Sequence, residues 1–222
     1  MRPLIVIPAR GGSKGIPRKN LCEVGGVPLI VRAIRAGLPV GDVVVSTDDE
    51  QIARVARDAG AYVLQRPAEL ATDTASSEAV VAHALQPPRD APYARVAVLL
   101  QCSSPFTTSE DIATCVALVE TGGYASAFTV ADDHRFQWYV NAVRRPEPVG
   151  HALPRQRRQD LAGNVVETGG VYAFRSGAFR DHGSRFIEPI GCHRIKSTWR
   201  AIEIDEPHDL VVANALAKEY GA

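Results

Sequence analysis

Residues 8–20 read PARGGSKGIPRKN, which places four cations, three glycines and a serine directly after an apolar run. Glycine lets backbone N–H groups approach an anion without a Cβ in the way. Arg10, Lys14, Arg18 and Lys19 are then available to neutralise a polyphosphate. The spacing is neither that of a Walker loop nor of a dinucleotide-binding turn. A solvated basic loop is the bland alternative. Near the other end, IDEPHD (204–209) places Asp205 and Asp209 four residues apart. Two carboxylates suit Mg²⁺, which takes one or two carboxylates together with substrate phosphates. They would equally serve as an N-cap and a first-turn acid of a helix. STDDE (46–50) offers more carboxylates, or a cap for the helix after it. QCSSP (101–105) supplies amide and hydroxyl groups of the kind a base or ribose needs, Gln101 and Ser103 among them. RPAELATDTASS (66–77) reads as a surface loop or a specificity loop over a base. RQRRQD (155–160) is a dense cation cluster, a solvated surface by default and an anion clamp in the sharper reading.

These stretches follow short apolar runs. LIVI (4–7), VVVST (43–47), YVLQ (62–65), VAVLLQ (96–101) and ASAFTV (125–130) read as strands. Between them, 27–37, 50–60, 76–85 and 109–120 carry helical periodicity, the last with Ser109 as N-cap. Strands buried on both faces and separated by helices predict an α/β fold with a mainly parallel sheet covered by helices. In such sheets ligands bind beyond the carboxyl ends of the strands, where the chemically equipped loops fall. The helical period disappears over 132–164, which is rich in Arg, Pro and aromatics. So long a structureless loop is improbable in a compact domain. The segment is expected to be an inserted β-rich arm with FQWYVNAV (136–143) as a strand, dividing a catalytic domain of residues 1–131 and 165–222. VYAF (171–174) and AIEID (201–205) are expected strands, and 207–220 a helix with proline at its first position.

Composition narrows the function classes. Lys plus Arg equals Asp plus Glu at 25 each, so the chain as a whole is not built for nucleic acid or an anionic membrane. No apolar run approaches a membrane span, and the first residues are too short for a signal-peptide core. The four cysteines form no C-x-x-C pair and the six histidines no metal motif. A reduced, cytoplasmic chain is expected.

The 8–20 segment resembles the N-terminal signature of the acylneuraminate cytidylyltransferases, which make CMP-sialic acids. That pattern is arginine, two variable residues, Ser-Lys-Gly, then Pro-x-Lys-Asn, and Arg10, Ser13, Lys14, Gly15, Pro17, Lys19 and Asn20 meet it. The block from VVVSTDDE through RPAELATDTASS, then VLLQCSSPF, RRQD followed by GGVYAF, and IEIDEPHDL are similar to the family's later blocks in the same order. The resemblance covers nearly the whole chain.

It implies a nucleotide-diphosphosugar transferase-like, Rossmann-like fold with a dimerisation arm, hence a homodimer. It also implies Mg²⁺-dependent transfer of CMP from CTP to the anomeric hydroxyl of a sialic-acid-like sugar acid. On that resemblance Arg10, Gly11, Gly12, Ser13 and Lys14 hold the triphosphate, with Lys14, Arg10 and Asp209 catalytic. Asn20, Arg66 and Ser103 bind the nucleotide. Gln101 lies where nucleotide and sugar meet, Arg158, Gln159 and Tyr172 bind the acceptor, and Asp205 and Asp209 hold Mg²⁺. The departures sit on the acceptor side. His134-Arg135-Phe136-Gln137 stands where the family has His-Pro-x-Lys, and Thr107 replaces the arginine of its SPLR. A Kdo-type sugar or a phosphonate is the alternative acceptor, and a non-catalytic CTP-binding module the alternative class.

Overall fold

The computed structural model describes residues 1–86, 94–151, 153–154, 157 and 163–222. A seven-stranded sheet runs through it in the order β11-β7-β10-β6-β1-β4-β5. Its strands are β1 (Leu4–Pro8), β4 (Asp42–Thr47), β5 (Tyr62–Gln65), β6 (Val96–Leu100), β7 (Ser126–Asp132), β10 (Val165–Arg175) and β11 (Ile190–Arg194). The run β6-β1-β4-β5 is parallel, β11 pairs parallel with β7, and β10 lies antiparallel between β7 and β6. The α/β reading with a mainly parallel sheet therefore holds.

Apolar runs become central strands here because both faces are covered, and successive side chains point to opposite sides. Ile5 and Ile7 join Val98, Leu100, Val171 and Ala173 in one core. Helices α1 (Leu29–Gly37), α2 (Glu50–Asp58), α4 (Ser109–Glu120) and α6 (Pro207–Tyr220) cover that face. Val6, Leu99, Tyr172 and Phe174 point the other way, against α3 (Ser77–Ala84) and α5 (Ser176–His182). A small hairpin, β2 (Glu23–Val24) with β3 (Val27–Pro28), precedes α1.

Several boundaries differ from the sequence reading. Thr108, not Ser109, caps α4: its hydroxyl accepts from the Asp111 N–H, and Asp111 accepts from the Thr108 N–H in return. Burial opposes ionisation of Asp111, but hydrogen bonds from Thr108 and the Arg200 guanidinium outweigh it and hold its carboxyl below the usual range. AIEID is not a strand. Residues Thr198–Ala201 form a turn of 3₁₀ helix, and Ile204 gives its N–H to the carbonyl of Ser103 rather than to a ladder. Because Ile204 is fully buried, the segment has the apolar signature of a strand without the pairing. β10 is longer than VYAF, and the sequence reading placed no element at α5 or β11.

The expected arm begins where β7 ends. Its strand is shorter than 136–143, because β8 (Gln137–Val140) stops at a turn in which Arg144 takes a positive φ of 59°. β9 (Pro146–Val149) returns antiparallel to it. Trp138, Tyr139, Val140, Val143 and Val149 are exposed on this ribbon.

Candidate active site

A cleft of about 470 Å³ opens at the carboxyl ends of β1, β5 and β6. Arg10, Ser13, Lys14, Asn20, Arg66, Gln101, Ser103 and Asp205 all line it, drawn from four segments far apart in sequence. Crossover connections between parallel strands bring those loops to one edge.

The 8–20 loop is folded on itself. Ile16 dips into the core, and Asn20, buried, donates to the carbonyl of Arg10 at 3.1 Å. Gly11 and Gly12 do not line the cleft. The Gly11 N–H goes instead to Asp48 Oδ1 at 2.9 Å, so a carboxylate of STDDE holds the loop's first turn. Asp49 caps α2, accepting from the N–H groups of Gln51 and Ile52, and pairs with Arg18 at 3.2 Å. The capping role of that acidic cluster is the observed one.

Gly15 is required for a different reason. A Cβ there would lie 2.2 Å from the carbonyl oxygen of Asp205, so only glycine lets the loop touch the 204–206 segment. Lys19 closes the same junction, donating to the Ile204 carbonyl at 2.8 Å and to Asp205 Oδ1 at 2.9 Å. Arg66 is buried and donates to the Ser46 carbonyl at 2.6 Å and to Ser46 Oγ at 3.2 Å. Burial lowers its pKa, partly offset by Asp48. Cys102 in the same wall is buried, and burial pushes its thiol up to about 12, away from the thiolate form.

The two candidate metal ligands are not equivalent. Asp205 carries an open carboxylate whose one ion-pair partner among the described residues is Lys19. Asp209 Oδ2 accepts from the N–H groups of Asp205 (2.9 Å) and Glu206 (2.8 Å), completing a capping box with Glu206 as N-cap of α6. Those two N–H bonds depress its pKa. Its Oδ1 stands 3.3 Å from His208 Nε2. Among the described residues no group of three His, Cys, Asp or Glu side chains gathers as a metal cage. The hard oxygens present suit Mg²⁺ completed by phosphates and water.

The profile described as cytidylyltransferase matches residues 4–186. The chain belongs to the cytidylyltransferase family. It is 37% identical to N-acylneuraminate cytidylyltransferase A of Danio rerio over 175 residues, covering 75% of this chain and 40% of that protein. It is 36% identical to N-acylneuraminate cytidylyltransferase B of the same fish over 222 residues, covering 97% and 51%. The chain thus spans about half the length of the curated relatives it matches. In fold it is similar to CMP:2-keto-3-deoxy-manno-octonic acid synthetase complexed with CTP, at a TM-score of 0.73 and 19% identity over 99% of this chain and 100% of that one.

Within this cytidylyltransferase cleft the sequence missed Lys19 as a bridge to Asp205, and it missed Asp73. The latter binds Arg10 at 2.8 Å and Lys14 at 3.0 Å. RPAELATDTASS stood out as irregular, but nothing in it singled out Asp73. Tyr172 is buried beyond the cleft, its hydroxyl donating to Glu167 at 2.7 Å under the Arg185 guanidinium. Burial raises its pKa. Arg158 and Gln159 lie outside the described residues.

Proposed function

We propose that this chain transfers CMP from CTP to the anomeric hydroxyl of a sialic-acid-like 2-keto-3-deoxy sugar acid, with release of pyrophosphate. The observation that carries this reading is the convergence of Arg10, Ser13 and Lys14 with Gln101, Ser103 and Asp205 around one cleft. Phosphoryl transfer requires little covalent chemistry from a protein; positioning and charge neutralisation supply the rate. Arg10 and Lys14 take the triphosphate. The acceptor oxygen attacks the α-phosphorus, the bond from that phosphorus to the α–β bridging oxygen breaks to release pyrophosphate, and the hydroxyl proton passes to solvent, with Asp209 near the attacking hydroxyl. Arg66 and Asn20 rigidify the nucleotide wall, and Gln101 lies between nucleotide and sugar. Asp205 and Asp209 would hold Mg²⁺, which supplies charge neutralisation on the phosphates. On the family resemblance Arg158 and Gln159 face the acceptor, and Tyr172, buried beyond the cleft with its hydroxyl on Glu167, would back that pocket rather than line it.

The test is pyrophosphate release with CTP and Mg²⁺ over a panel of acceptors. The panel holds N-acetylneuraminate, its deaminated analogue, legionaminate- and pseudaminate-type acids, Kdo and small phosphonates. Turnover with a nonulosonate is expected. Turnover only with Kdo or a phosphonate would move the acceptor class, and CTP binding with silence across the panel would favour the non-catalytic module.

The arm supports a homodimer as part of this reading. Trp138, Tyr139 and Val140 stand together in solvent on a two-stranded ribbon, which is marginal alone. Light scattering should give twice the chain mass of 23.9 kDa, and a monomer would remove the arm's assigned role. We also place the chain in the cytoplasm, a reading supported by four cysteines that form no disulfide. Periplasmic or extracellular fractionation of the native protein would refute it. Among the described residues no helix is long and apolar enough to cross a membrane.

A further inference from the structure

We propose that Asp73 is an internal competitor for the triphosphate, a carboxylate seated on the phosphate-binding cations that the nucleotide must displace. The inference rests on the reading that Arg10 and Lys14 hold the phosphates, and it assigns a further determinant of nucleotide affinity to that same site.

The geometry is specific. Asp73 Oδ1 stands 2.8 Å from Arg10 Nη1, and Asp73 Oδ2 stands 3.0 Å from Lys14 Nζ. The two oxygens of one anion thus bridge two cations from one loop, as two oxygens of a phosphate would. Arg10 Nη1 also donates to the carbonyl of Thr72 at 2.9 Å. The loop that presents these acceptors is tied down at both ends. Buried Arg66 anchors its start on Ser46, and Ser76 fixes its end as the N-cap of α3, accepting from the Ala79 N–H at 3.1 Å. Between those anchors Asp73 is half-exposed, and among the described residues its ionic partners are these two cations. Lys14 foremost, with Arg10, lowers its pKa, so it stays ionised at neutral pH.

A tethered carboxylate acts at a high effective concentration, and a contact made only without ligand lowers apparent affinity by the fraction of sites it occupies. Exposed ion pairs are individually weak, so the seat is occupied without being locked. A triphosphate carries several negative charges and can take both cations at once. A singly bridging anion such as orthophosphate gains less from the exchange. The cleft lining holds four cations (Arg10, Lys14, Lys19 and Arg66) against three carboxylates (Asp73, Asp205 and Glu206), so removing the Asp73 charge doubles the excess from one to two.

The experiment is calorimetric titration of inorganic tripolyphosphate, without metal, into wild type, Asp73→Asn, Asp73→Glu and Lys14→Ala, all on the full chain. Asp73→Asn should tighten binding by about three- to tenfold. Asp73→Glu, which keeps the charge, should stay near wild type. Unchanged or weaker binding in Asp73→Asn would overturn the proposal, since it would make Asp73 a bystander or an organiser of the two cations. Equal binding by wild type and Lys14→Ala would instead sink the phosphate-site reading itself. Loss in Lys14→Ala without gain in Asp73→Asn would remove the competitor alone.

Discussion

Asp205→Ala should lower CTP turnover by about two to three orders of magnitude and leave the melting temperature where it is. Its carboxylate is exposed, has no capping role, and lines the cleft. Removing it frees Lys19, which keeps the Ile204 carbonyl. Asp209→Ala should abolish turnover to a similar degree but also destabilise the fold. Its carboxylate holds the N–H groups of Asp205 and Glu206, and loss of such a cap costs about 1 kcal/mol. In a chain of this size that is a fall of about 2–4 °C. Because the two N–H bonds depress its pKa, the cap's contribution is present at neutral pH and is lost as pH falls through the folded-state value. The paired measurement is initial rate and thermal melt for both variants. Near-normal activity in Asp205→Ala would remove it from the metal site.

Lys14→Ala is the second large effect. The ammonium is mostly exposed and its one ion-pair partner among the described residues is Asp73, so folding should not notice its loss. If Lys14 meets charge developing near the α-phosphate, kcat and kcat/KM should fall together by about 10²- to 10³-fold. A rise in KM with kcat intact would show that Lys14 binds nucleotide and transition state equally. Lys14→Arg keeps the charge but substitutes a planar fork for a point charge, and should recover binding more than rate. Activity of Lys14→Ala within tenfold of wild type would remove Lys14 from the chemistry.

The sequence alone determined the frame. Runs such as VAVLL are apolar at every position because both faces of the strand are buried, and that pattern needs no knowledge of its neighbours. The Arg-x-x-Ser-Lys-Gly signature and the ordered blocks identified the family, and the polar ends of the apolar runs marked the cleft. Tertiary structure decided how the charges are used. Lys19 and Asp205 are 186 residues apart in the chain and only the fold makes them partners. The carboxylate of Asp48 looks like a metal ligand in sequence, yet it holds the N–H of a loop turn, and Asp209 also holds the N–H groups at a helix start. AIEID has a strand's apolar signature, but its backbone turns to Ser103 and leaves the ladder. Asp73 is one acid in a polar loop until the fold sets it on Arg10 and Lys14. Hydrophobic periodicity is written locally, whereas the partner of a charge is fixed by which loops meet at the sheet edge, and that depends on the whole topology.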